Sequence, residues 1–123
     1  MRQLVRVGLL VLIGGVTFVA CASAGTPAAT KAPAGPSGAT VNIKSFAFGP
    51  ASVTISKGQS VVFTNSDGTT HTVSSGVAPN KDGKFDKEIA NGSEATITFA
   101  SAGTFTYFCN IHQTMKGTVV VNN

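Results

Sequence analysis

Residues 53–65 read Val-Thr-Ile-Ser-Lys-Gly-Gln-Ser-Val-Val-Phe-Thr-Asn, and their pattern decides the fold. Val53 and Ile55 alternate with Thr54 and Ser56, the period of a strand whose side chains point to opposite faces in turn. Lys57-Gly58 turns the chain. Ser60 to Thr64 then forms a second strand with a continuous apolar centre, and Asn65-Ser66-Asp67-Gly68 breaks it. Strand, turn, strand and break within so few residues leave no room for a helical period.

The same texture extends in both directions. Upstream, Val41 and Ile43 alternate with Asn42 and Lys44. Downstream, His71-Thr72-Val73 begins another strand, and Ser74 to Lys84, with Pro79, Asp82 and Gly83 but no apolar period, reads as a loop. Phe85 to Ile89 is a strand in which Lys87 shares a face with Phe85 and Ile89. After the Asn91-Gly92 turn, Ala95, Ile97 and Phe99 face inward against Glu94, Thr96 and Thr98. Ala102-Gly103 turns again, Phe105, Tyr107 and Cys109 share one face, and Thr118 to Asn122 closes the sheet. Seven or eight strands between residues 39 and 123, with no convincing helix, predict an all-β Greek-key sandwich.

Residues 1–38 have a different character. Arg2 and Arg6 precede an uncharged apolar run from Val7 to Ala20, the layout of an export signal, here taken as residues 1–20. Thr17-Phe18-Val19-Ala20-Cys21 resembles a bacterial lipobox, which would make Cys21 a lipidated mature N-terminus and anchor the protein to a membrane. Two other readings stay open: cleavage after Ala22-Ser23-Ala24, which discards Cys21, and an uncleaved span. Residues 21–38 carry Pro27, Pro33 and Pro36 among small residues and read as a tether. The expectation is an exported, periplasmic or cell-surface protein held by a lipid.

Charge excludes one class of partner. The chain is formally +4, but Arg2 and Arg6 lie in the signal, and seven Lys face five Asp and Glu beyond it. These Lys form no stripe and do not interleave with stacking aromatics, so there is no case for nucleic acid. A disulfide between Cys21 and Cys109 is not expected, because each cysteine has a separate explanation.

Chemistry concentrates in Tyr107-Phe108-Cys109-Asn110-Ile111-His112-Gln113-Thr114-Met115. Cys109 ends a strand, and His112 and Met115 follow in a loop that can wrap all three side chains around one point. His71, the only other histidine of the chain, starts a strand elsewhere and can reach the same point from a neighbouring strand end. One Cys, two His and a weak axial Met form the ligand set of a blue-copper electron-transfer site. Taken singly, a buried Cys is a small hydrophobe and a Met is packing; the joint spacing argues for a metal. Zinc is disfavoured, since structural zinc takes four Cys or His ligands. Four protein ligands leave no open coordination position, so an enzyme is not expected.

The order of motifs across residues 39–123 resembles the cupredoxin family, in its small amicyanin and plastocyanin forms. It is carried by Phe46-Ala47-Phe48-Gly49-Pro50, Val53 to Gly58, Val62-Phe63-Thr64-Asn65, His71, Tyr107-Phe108-Cys109, His112 and Met115-Lys116-Gly117. The short Cys-x-x-His-x-x-Met loop is the amicyanin form. The resemblance implies one copper ion cycling between Cu(I) and Cu(II), with His71, Cys109 and His112 equatorial, Met115 axial and the carbonyl of Thr70 on the opposite side. It further implies that the Asn65 amide ties to Asn110, and that His112 is the electron port, ringed by Ile111, Gln113, Thr114 and Pro79. Transient redox proteins would be the partners of a monomer. Departures are Phe63 for Trp, Thr70 for Pro, Thr72 for Asn, Asn110-Ile111 for Thr-Pro or Ser-Pro, and Gln113 for Pro, so loop rigidity is not carried over. An electron carrier is the first expectation; copper delivery or buffering is the alternative, and a metal-free structural sandwich the third.

Overall fold

A computed structural model describes residues 35–123. The export signal, the lipidation of Cys21 and most of the tether lie outside the described residues. No described helix is long and apolar enough to cross a membrane.

Among the described residues, nine strands make two sheets: β1 (Ser37–Lys44), β2 (Ala47–Gly49), β3 (Ser52–Ser56), β4 (Ser60–Asn65), β5 (His71–Val77), β6 (Asn80–Ile89), β7 (Glu94–Thr98), β8 (Gly103–Phe108) and β9 (Lys116–Asn122). One sheet has the order β2-β1-β4-β7 and the other β3-β9-β8-β5-β6. β1 runs parallel to β4, and β3 runs parallel to β9. This is the all-β sandwich expected from the alternation, with more strands than the seven or eight read from it.

β2 is the added strand, and one stretch read as a loop lengthens two others. β2 is only three residues long, too short for any period to register. The stretch 74–84, read as a loop, is instead a hairpin of β5 and β6. One hydroxyl stitches it: Ser75 Oγ donates to the carbonyl of Phe85 at 3.0 Å and accepts the Phe85 N–H at 2.9 Å. Ser74 Oγ donates to Asp86 at 2.7 Å. β6 is an edge strand, so charged side chains replace the apolar alternation that a covered strand would need.

The alternation of β1, β3, β4 and β9 buries Val41, Ile43, Val53, Ile55, Val61, Phe63, Val119 and Val121 between the sheets. Phe48, Phe63 and Tyr107 meet edge to face, with ring centroids 4.9 to 6.5 Å apart, contacts worth about 0.5–1.5 kcal/mol each beyond area burial. Gly117 sits opposite Tyr107 on β9. A Cβ there would lie 2.2 Å from Tyr107 Cζ, so only glycine lets the ring lie flat over the strand.

Candidate metal centre

The site is placed by the register between β5 and β8. Ser74 pairs with Phe108 and Ser75 with Tyr107 in antiparallel fashion. Continuing that register past the end of β8 sets Thr72 opposite Asn110. His71, the first residue of β5, therefore meets the loop that carries Cys109 and His112.

Three donor atoms converge there. Cys109 Sγ lies 3.8 Å from His71 Nδ1 and 3.7 Å from His112 Nδ1, and the two Nδ1 atoms are 3.2 Å apart. A point equidistant from all three lies about 2.1 Å from each, within the roughly 2.0–2.3 Å at which nitrogen and thiolate ligands hold a first-row ion. His71 and Cys109 are fully buried, and His112 is half-buried. These three form the one His/Cys/Asp/Glu cluster of this kind among the described residues.

Asp67, which the sequence offered only as part of a turn, organises His71. Its Oδ2 accepts the Nε2–H of His71 at 2.9 Å, and its side chain is only 12% exposed. The main-chain N–H of Phe46, aided by that of Ser45 and by His71, holds the Asp67 carboxyl below its ordinary value. An ionised carboxylate can only accept, so the proton of His71 is fixed on Nε2 and the Nδ1 lone pair faces the donor triangle. The signal available in the sequence was an acid four residues ahead of a histidine.

Asn65 acts differently from the expectation drawn from the family. Its Nδ2 donates to the carbonyls of Thr69 at 2.8 Å and Ile89 at 2.9 Å, and its Oδ1 accepts the Asp67 N–H at 2.9 Å. It shapes the 65–70 loop and does not tie to Asn110. That tie is made by Thr72, whose Oγ1 accepts the Asn110 N–H at 2.7 Å. The register explains the exchange of roles, because Thr72 and not Asn65 stands across from Asn110. Thr72 also directs its N–H at Cys109 Sγ across 3.3 Å. Thr70, half-buried, immediately precedes His71.

The loop from Cys109 to Met115 lacks the family's prolines and is closed by main-chain bonds. Cys109 N–H donates to the Met115 carbonyl at 3.0 Å, and Met115 N–H donates to the His112 carbonyl at 2.9 Å. Met115 is buried. Around half-buried His112, Ile111 is 52% exposed and Phe46 is 56% exposed. The Phe46 ring stands edge-on to His112 with centroids 5.0 Å apart. Pro79, expected in this ring, lies in the β5–β6 turn, at the opposite end of β5 from His71.

Comparison with known proteins agrees with this geometry. The family model described as a cupredoxin-like domain matches residues 10–121. Plastocyanin of Scenedesmus fuscus is 37% identical over 83 residues, 60% of this chain and 85% of that protein. A mutant of amicyanin in its Cu(I) state superposes with a TM-score of 0.58 at 25% identity, over 69% of this chain and 82% of amicyanin. A copper-containing nitrite reductase from Thermus scotoductus superposes with a TM-score of 0.61 at 26% identity. The match covers 72% of this chain and only 22% of that enzyme.

Proposed function

Because the chain belongs to the cupredoxin-like domain family, we propose that it carries single electrons between extracytoplasmic redox partners. His71 Nδ1, His112 Nδ1 and Cys109 Sγ would hold one copper ion, with the Met115 thioether and the Thr70 carbonyl as the further candidate ligands. The supporting observation is the convergence of two Nδ1 atoms and one Sγ at mutual distances of 3.2 to 3.8 Å. Bound copper supplies the one-electron couple between Cu(I) and Cu(II).

What the chain contributes is a fixed set of donors. Cys109 binds as thiolate, and the Thr72 N–H stabilises the charge on sulfur. Asp67 holds the His71 proton away from the donor triangle. Buried strand ends and two main-chain bonds hold the loop, so its ligands need little rearrangement when the oxidation state changes. Half-buried His112, between Ile111 and Phe46, is the exit for the electron.

The closed loop favours a carrier over the alternative of copper delivery, which needs ligands that let go readily. The nitrite reductase shares this fold over a small part of its length, and the described residues hold no second cluster for such chemistry. We place the protein outside the cytoplasm, anchored through lipid on Cys21, on the strength of the N-terminal sequence. Voltammetry of the copper-loaded chain tests the carrier reading. A reversible one-electron wave that survives repeated cycling supports it, whereas prompt transfer of the copper to an apo acceptor supports delivery.

A further inference from the structure

Ser45 and Phe46 are the non-glycine residues with left-handed backbone among those described, at φ 53° and 57°. A side chain with a Cβ disfavours that region, and a bulky aromatic more so. The Asp67 carboxylate compensates: Oδ1 accepts the Ser45 N–H at 2.6 Å and Oδ2 accepts the Phe46 N–H at 2.9 Å. Oδ2 is also the oxygen that receives His71 Nε2–H. A single carboxylate therefore grips the turn between β1 and β2 and the first histidine together.

The conformation does not serve the core. Phe48, two residues on, fills that place. Phe46 instead remains 56% exposed, edge-on to His71 at 5.5 Å and 81° and to His112 at 5.0 Å and 83°. An unfavourable backbone held by two hydrogen bonds to one acid thus keeps a half-exposed ring packed at near right angles against both imidazoles.

We propose that Phe46 is a lid on the donor triangle, latched by Asp67, and that it sets how fast copper exchanges with outside ligands. This rests on the copper reading above. An incoming thiol or chelator approaches at half-buried His112, against which the Phe46 ring packs at near right angles. Lifting the ring means withdrawing the Ser45 and Phe46 N–H groups from Asp67. Electrons need no such opening, so the lid permits transfer through His112 while retaining the ion. Phe46 and Asp67 act through the histidines and are positioning residues.

The test loads the full chain with one copper ion, reduces it and mixes it with excess bicinchoninate, following release by the colour of the copper(I) complex. Phe46→Ala is expected to bind copper with unchanged stoichiometry and to release it on the order of tenfold faster, the scale of two lost edge-on contacts. Phe46→Tyr keeps the slow release. Asp67→Asn speeds release in both backgrounds, because it frees the His71 imidazole as well as the turn, so Phe46→Ala alone reads the lid. Release from Phe46→Ala at the wild-type rate overturns the lid, as does fast release from Phe46→Tyr. Failure of the copper reading is distinguishable, since the wild-type chain would then take up no copper at all.

Discussion

The main-chain N–H of Thr72 points at Cys109 Sγ across 3.3 Å, so the first residues of β5 hydrogen-bond the thiol that ends β8. The same residue takes the Asn110 N–H on its hydroxyl at 2.7 Å, fastening the two strand ends that carry three of the proposed ligands.

Removing the hydroxyl tests that second bond together with the longer Thr72 Oγ1 contacts to Ser74 Oγ at 3.2 Å and Cys109 Sγ at 3.9 Å. Thr72→Val keeps the shape and the N–H to sulfur but leaves the Asn110 N–H without its acceptor. Urea unfolding of the copper-free chain should register a loss of about 1 kcal/mol, with Thr72→Ser restoring most of it. An unchanged midpoint would mean that the tie carries no net stability.

Substitution of the proposed ligands separates their roles. Cys109→Ser should abolish the intense thiolate-to-copper absorption. Met115→Leu should retain copper and raise the reduction potential, since losing an axial donor disfavours Cu(II) more than Cu(I). Visible spectra and voltammetry read the two effects independently, and an unaltered potential would remove Met115 from the ligand set.

Tyr107 and Gly117 make a matched pair. The Tyr107 hydroxyl is buried with no hydrogen-bond partner, and burial pushes its pKa up. Tyr107→Phe should therefore preserve or raise stability, by up to about 1 kcal/mol. Gly117→Ala should lower it by about 1–3 kcal/mol, because the ring must move to admit the methyl group. Thermal unfolding of the two variants should diverge in opposite directions.

Acid sensitivity should include a part traceable to β6. The Lys84 ammonium holds the Asp82 carboxyl down at about 2, from an ordinary 3.8. Lys81, then Ser74, lowers Asp86. Depressed carboxylates stabilise the fold above their unfolded pKa, so the contribution is present above pH 3.8 and is lost as pH falls towards about 2. These are surface pairs, and the effect should be a few tenths of a kcal/mol. Asp82→Asn should flatten stability against pH in that window and leave it unaltered at neutral pH apart from the same small loss.

Much of this molecule was legible in its sequence because strand alternation is local. Val53 and Ile55, or Ala95 and Ile97, declare their face without reference to anything distant. The convergence of His71, Cys109 and His112 was legible because scarce residue types sat at ligand spacing. The pairings that depend on three-dimensional register were not. Asp67 looked like turn chemistry because its bonds reach back to Ser45 and Phe46, more than twenty residues away. Thr72 looked like a departure from the family asparagine, and only the β5–β8 register reveals that it meets Asn110. The β5–β6 hairpin hid because side chains of Ser74 and Ser75 hold it, and no apolar period records that.

The most direct test of the proposed centre is copper titration of the full chain, followed by visible absorption and electron paramagnetic resonance. The expected result is one ion per chain, an intense thiolate-to-copper band in the visible, and the narrow copper hyperfine splitting of a strongly covalent Cu–S bond. Uptake without that band, or a spectrum of ordinary tetragonal copper, would contradict the assignment of Cys109, His71 and His112 as the ligands.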